Sequence, residues 1–162
     1  MSNPKITSFT KAVIAILICE TVGVLSGFLS SAGMNGWFDT LQKPSWNPPG
    51  WLFAPVWTTL YLMMGVALWL VWKSEKPEAE KTKAAQVFAL QLFLNFWWSL
   101  IFLHFHAPGL AFLDILLMVA TITWTIFRFA PISRLAAWLL VPYLSWVCFA
   151  TILNHTIWSM NR

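Results

Sequence analysis

Apolar residues run through this chain in long blocks divided by short polar breaks. Segments 51–72, 84–113, 115–127 and 135–161 contain no Asp, Glu, Lys or Arg, and 12–31 contains only Glu20. A helix needs about 20 predominantly apolar residues to cross hydrocarbon, so several of these blocks are long enough. Punctuation sets their ends. A first span is predicted over about 9–32, ending where the glycines and asparagine of 33–36 favour chain reversal. A second covers about 51–72 and a third about 84–105, followed by a tight turn at Pro108-Gly109. The fourth covers about 110–129 and stops near Pro131. The fifth covers about 133–158 and carries Pro142 inside it, a neighbouring helix satisfying the freed carbonyl. Segment 73–83, charged and containing Pro77, is expected as a loop, and 33–50 as a polar, proline-rich connection. The expected fold class is all-α: one domain over 1–162, an integral membrane bundle of five transmembrane helices.

Composition agrees with the pattern. Of 162 residues, 59% are hydrophobic, 17% aromatic and 10% charged, whereas soluble domains average about 25% charged. A water-soluble fold of this size has nowhere to hide so much apolar surface. The net charge of +4 does not indicate a nucleic-acid partner, because the basic residues are dispersed over short connections. Five spans put Lys5, Lys11, Lys73, Lys76, Lys81, Lys83, Arg128 and Arg134 on one side and only Lys43 and Arg162 on the other. The positive-inside rule then predicts a cytoplasmic N-terminus and an outer first loop. Trp37, Trp51, Trp72 and Trp158 fall near span ends, where an indole keeps its ring apolar and its N–H wet. Cys19 and Cys148 lie in apolar runs and indicate neither a disulfide nor a metal site.

The polar residues inside the spans narrow the chemistry. No lysine lies deep in a span to carry a Schiff base, and no arginine ladder senses voltage. Glu20 and Asp114 are each open to two readings: a proton or cation site, or a protonated, interhelically bonded or interfacial carboxyl. Gly23, Gly27 and Ser31 form a small-residue stripe whose expected use is helix packing. Gln91, Asn95 and Ser99 recur every four residues with Trp98 beside them; Tyr143, Trp146, Ala150 and Asn154 share a face of the fifth span, and Trp57 and Tyr61 one of the second. Aromatic walls with a few donors and acceptors suit a pocket for a flat apolar ligand, and they equally suit interhelical hydrogen bonding in a crowded core. His104, His106 and His155 are expected as interfacial polar residues. In the first loop Pro44, Pro48 and Pro49 stiffen a backbone that also carries Trp46 and Trp51, as a lid or an interfacial anchor would.

Several motifs carry a resemblance: Trp37-Phe38-Asp39 with Lys43-Pro44-Ser45-Trp46-Asn47-Pro48-Pro49, Trp57 with Leu60-Tyr61, Asn95 with Trp98, and Pro142-Tyr143-Leu144-Ser145-Trp146 with Ala150 and Leu153-Asn154. Along nearly its whole length the chain resembles the TspO/MBR family of tryptophan-rich sensory and translocator proteins, the peripheral-type benzodiazepine receptors. The resemblance implies a dimeric five-helix bundle whose cavity, closed by the first loop, binds porphyrins, sterols and benzodiazepine-like or isoquinoline ligands. It implies Trp57, Asn95, Trp146 and Ala150 in the cavity wall and Phe38 and Pro48 near the lid. With the stripes, the expected ligand-binding set adds Tyr61, Gln91, Trp98, Tyr143 and Asn154. The family's cholesterol motif, a Tyr followed closely by Lys or Arg, is missing from 154–159, which points to a bacterial, porphyrin-directed member. The leading expectation is a receptor, sensor or carrier of tetrapyrroles such as protoporphyrin IX. The alternatives are a light- and oxygen-dependent porphyrin-degrading enzyme, with Trp57 and Trp146 as the electron-exchanging candidates, and a sterol or small-molecule transporter. No metal and no resident cofactor are expected, porphyrin entering as ligand or substrate. The expected partners are hydrophobic small molecules, the bilayer and a second copy of the chain.

Overall fold

A computed structural model describes the backbone of residues 4–34 and 36–162, and the side chains of these residues from Thr7 onward. The side chain of Lys5 and the whole of Asn35 lie outside the described residues. Seven helices are described: α1 (Pro4–Met34), α2 (Trp37–Thr40), α3 (Gly50–Trp72), α4 (Glu78–Ser99), α5 (Pro108–Phe129), α6 (Arg134–Leu139) and α7 (Val141–Met160). Among the described residues, five stretches are long and apolar enough to cross a membrane, the fifth being α6 and α7 together. The apolar side chains that point outward, such as Phe9, Val24, Phe28, Phe127 and Trp138, have lipid as their natural solvent.

Three elements differ from the sequence expectation. The 33–50 connection contains the short helix α2, which turns Trp37 and Phe38 toward the bundle. The segment expected as a loop over 73–83 is helical from Glu78 onward. Glu78 and Glu80 in its first turn favour the helix dipole, and Lys81 pairs with Glu78 and donates to the Ser74 carbonyl at 3.3 Å. An apolar run ends where hydrocarbon ends, whereas a helix need not. The fifth span, expected as one helix through Pro142, is divided at Leu140. Pro142 has no N–H to offer the preceding turn, and the Leu140 N–H instead donates to the Ala137 carbonyl at 3.2 Å, closing α6 early.

The helices close a ring in the spatial order α1, α3, α6–α7, α5, α4. The inner half, away from the 36–49 connection, is a continuous core of Met64, Leu68, Phe88, Ile122, Phe129 and Leu140 with their neighbours. Here α1 and α3 approach closely, because Gly65 has no side chain: a Cβ at that position would lie 2.6 Å from the Ile16 Cα. Gly65→Ala is therefore expected to push α1 away and destabilise the bundle by about 1–3 kcal/mol, read from its unfolding midpoint in detergent. The expected small-residue stripe packs a helix at one of its three positions, Gly23 against α3. Gly23 faces the Tyr61 ring, no atom lies within 4 Å of a Cβ built on Gly27, and Ser31 is exposed. The second close approach is Gly33 on the Leu103 carbonyl.

α4 ends in a π-helical turn, Leu100–His104, closed by the Phe105 N–H on the Leu100 carbonyl at 2.8 Å. His106 then takes a left-handed φ of 54°, and its ring stacks on Trp37 with centroids 4.4 Å apart. A smaller core of Phe102, Ala111, Leu153 and Ile157 lies under the connection. Since α3 packs chiefly on α6 and not on α7, the two spans part in the outer half and leave space between the two cores.

Candidate ligand cavity

That space is a cavity of about 350 Å³, built from the outer halves of four spans. α3 contributes Phe53, Trp57 and Tyr61, α4 and its π turn Trp98 and Phe102, and α7 Trp146, Phe149, Ala150 and Asn154, while Phe38 closes the outer end. α1 contributes a wall of small groups, Gly23, Ser26, Gly27 and Ser30, with Glu20 at its inner limit. The rings support one another. Trp57 lies 5.7 Å from Tyr61 and 6.5 Å from Trp98, and Trp98 stacks on Phe102 at 5.6 Å. Across the cavity Trp146 meets Phe53 edge-on at 6.1 Å and Phe149 at 5.5 Å. Offset and edge-on ring pairs of this kind hold their planes without a backbone constraint.

Polar groups in the wall divide into committed and free. The Trp98 indole N–H donates to Asn154 Oδ1 at 3.0 Å, and Asn154 Nδ2 donates to the Pro108 carbonyl at 2.8 Å, so Asn154 anchors the wall. The Ser26 hydroxyl donates to the Gly23 carbonyl at 3.1 Å. Trp146 Nε1 and Ser30 Oγ are buried and have no hydrogen-bond partner among the described residues. Both atoms are sealed beneath the cavity surface, so they are unpaired within the wall and not presented to the space itself. No Lys, Arg or His among the described residues lines the cavity; Lys43 stands at its outer end, its Nζ 4.8 Å from the centre of the Phe38 ring.

The connection above the cavity is pinned at two points along its course. The Gln42 N–H donates to Asn161 Oδ1 and Asn161 Nδ2 donates back to the Gln42 carbonyl, both at 2.9 Å. Trp46 packs edge-on against Phe149, a cavity residue, at 5.9 Å. Around Trp46, the Asn47 N–H closes a turn on the Pro44 carbonyl at 3.0 Å, and the Asn47 side-chain amide donates to the Pro48 carbonyl at 2.9 Å.

The profile of the TspO/MBR family matches residues 15–159, from within α1 to the last turn of α7. The chain belongs to the TspO/MBR family. It is 42% identical over 148 residues to the tryptophan-rich protein TspO of Chlorobaculum tepidum, covering 91% of this chain and 94% of that one. It is 41% identical over 138 residues to the human translocator protein, covering 85% and 81%. The translocator protein of Sus scrofa is 39% identical over 143 residues, covering 85% of each chain. With five stretches able to cross a membrane, this TspO/MBR chain is an integral, multi-pass membrane protein.

The TspO/MBR fold places the expected site residues in two groups. Phe38, Trp57, Tyr61, Trp98, Trp146, Ala150 and Asn154 line the cavity. Gln91, Asn95 and Tyr143 lie inward of it, fully buried, in one hydrogen-bonded chain. The Tyr61 hydroxyl donates to Asn95 Oδ1, Asn95 Nδ2 donates to the Tyr143 hydroxyl at 2.9 Å, and that hydroxyl donates to Gln91 Oε1 at 2.8 Å. Tyr61 belongs to both groups. Pro48 lies in the covering connection and does not line the cavity. Phe53, Phe149 and Ser30 are wall residues that sequence reasoning missed. Phe53 stands one turn before Trp57 and Phe149 one turn after Trp146, so helical spacing was the signal for both. Asp114 lies on α5 outside the cavity wall, with Oδ2 buried and unpartnered among the described residues, and His155 packs on Phe112 at 5.0 Å.

Proposed function

We propose that this cavity binds flat, apolar ring ligands, with tetrapyrroles such as protoporphyrin IX as the leading class and benzodiazepine-like and isoquinoline compounds as others. The observation that carries this reading is the wall itself: three indoles and several phenyl rings around a space of about 350 Å³. Ligand pockets have about 300–1,000 Å³, and a macrocycle at the upper part of that range needs more room than the enclosed volume. The wall supplies it between α1 and α3, where the lining residues Val24, Gly27, Ala54 and Thr58 are exposed, so one ring edge can rest in lipid. Propionates fit the outer end, beside Lys43. In this reading the protein senses or carries its ligand, needs no resident cofactor, keeps its N-terminus in the cytoplasm and pairs with a second copy. The excess of basic residues in the connections on the N-terminal side supports that orientation.

Titration with protoporphyrin IX, followed by tryptophan quenching and by the porphyrin absorption band, tests the assignment. The Trp57→Phe, Trp146→Phe double variant keeps two rings but loses the area of both indoles. Affinity should fall about tenfold, equivalent to about 1.4 kcal/mol. Binding as tight as that of the parent would remove both indoles from the site.

A further inference from the structure

We propose that Glu20 makes the inner end of the cavity a recognition site for the ammonium group of a membrane-soluble amine, which enters from lipid between α1 and α3. This rests on the cavity being a ligand site, as proposed above, and adds a charge class that a porphyrin does not need.

Glu20 sits midway along the 31-residue α1, where hydrocarbon surrounds the bundle. Placing a carboxylate at such a depth costs about 2.5–3.5 kcal/mol on insertion scales, and residues of this kind mark pathways and ligand counter-ions. Glu20 lines the cavity and makes no hydrogen bond or ion pair with a described residue. Donors along the inner wall are committed elsewhere: the Tyr61 hydroxyl to Asn95, the Ser26 hydroxyl to the Gly23 carbonyl, the Trp98 N–H to Asn154. Ser30, whose hydroxyl is free, stands ten residues further along α1, about 15 Å away by helical rise. With no cationic side chain among the described wall residues, the carboxyl is neutralised either by a proton or by a cation that the ligand brings, and an ammonium ligand supplies the second.

Two further features select an amine. The Trp57 indole of α3, half-buried in the wall, offers a π face, and a desolvated cation gains about 2 kcal/mol or more over such a face. The wall is also open to lipid just outward of Glu20. Val24 is 68% exposed, Gly27, Ala54 and Thr58 are exposed, and Gly27 leaves a gap that a side chain would fill. Inward of Glu20 the seam is shut by Gly65 against Ile16. An amphiphilic amine sliding along this opening reaches the carboxylate where the seam closes, with its apolar part among the rings.

The test uses the full chain in nanodiscs, with empty nanodiscs as the partition control. Equilibrium dialysis measures binding of 2-(1-naphthyl)ethylammonium and of its neutral N-acetyl amide, and protoporphyrin IX is titrated in parallel. The wild-type chain should prefer the ammonium by about tenfold or more. Glu20→Gln should bring the ratio close to one, and Glu20→Asp should keep part of it. Equal binding of ammonium and amide by the wild-type chain would overturn the proposal, whatever the variants do. So would an undiminished preference in Glu20→Gln that retains the wild-type helical signal. If protoporphyrin binds but the ammonium does not, this inference alone fails; if neither binds, the cavity reading fails with it.

Discussion

Replacing Asn95 with leucine is expected to destabilise the bundle by about 2–4 kcal/mol, with leucine filling nearly the same volume. Asn95 is 1% exposed, and both ends of its amide are engaged, one by the Tyr61 hydroxyl and one by the Tyr143 hydroxyl. Leucine leaves the first hydroxyl without an acceptor and the second without a donor, at a depth where no water can substitute. Interhelical hydrogen bonds within membranes average about 0.6 kcal/mol and reach about 1.7. Two bonds of that kind account for the lower part of the range, and the stranded hydroxyls for the rest. Since Tyr61 is on α3, Asn95 on α4 and Tyr143 on α7, the loss loosens three spans together. Equilibrium unfolding in mixed micelles gives the magnitude, and a double-mutant cycle gives the cause. Tyr61→Phe should cost clearly less in the Asn95→Leu background than in the wild type. Strictly additive effects would mean that the two side chains do not act as a pair.

Release of bound protoporphyrin should quicken about 200-fold or more when Asn161→Ala is combined with alanine at Pro44, Pro48 and Pro49. Asn161 ties the covering connection to the end of α7 by two reciprocal hydrogen bonds with Gln42, each worth about 1 kcal/mol net. Prolines restrict the detached connection as well as the seated one, so their removal widens the open ensemble by about 0.4–1 kcal/mol per position. Together these terms reach about 3–5 kcal/mol, the equivalent of about 200-fold or more in a rate or an equilibrium. The spans should stay inserted, because none of the four positions lies within a transmembrane apolar run. Stopped-flow dissociation in detergent and in nanodiscs reads the effect, and Asn161→Ala alone should give about half of it in free energy. Unchanged release in both media would make 36–49 a connector without a gating role.

Membrane insertion, the number of spans and the family were legible in the chain, because each depends on local sequence: the length of an apolar run, a proline between runs, a motif of fixed spacing. Helix limits were less legible where they pass out of hydrocarbon, as at Glu78, since the run of apolar residues stops before the hydrogen-bonded backbone does. Periodicity also found stripes on three spans, but a stripe gives only a direction around one helix axis. It could not say that Gln91, Asn95 and Tyr143 turn toward one another in a sealed layer, while Trp98 and Asn154, a turn or more outward, form the cavity wall. Nor could it show that of the two glycines only Gly23 packs on α3 while Gly27 faces an opening, or that Asn161 reaches back to Gln42 across 119 residues. Those outcomes follow from where α3 leaves α7, which is set by the break at Leu140 and by the close crossing of α1 on Gly65. A cavity is the space that remains once pairs of helices have chosen their crossings. No single helix encodes it.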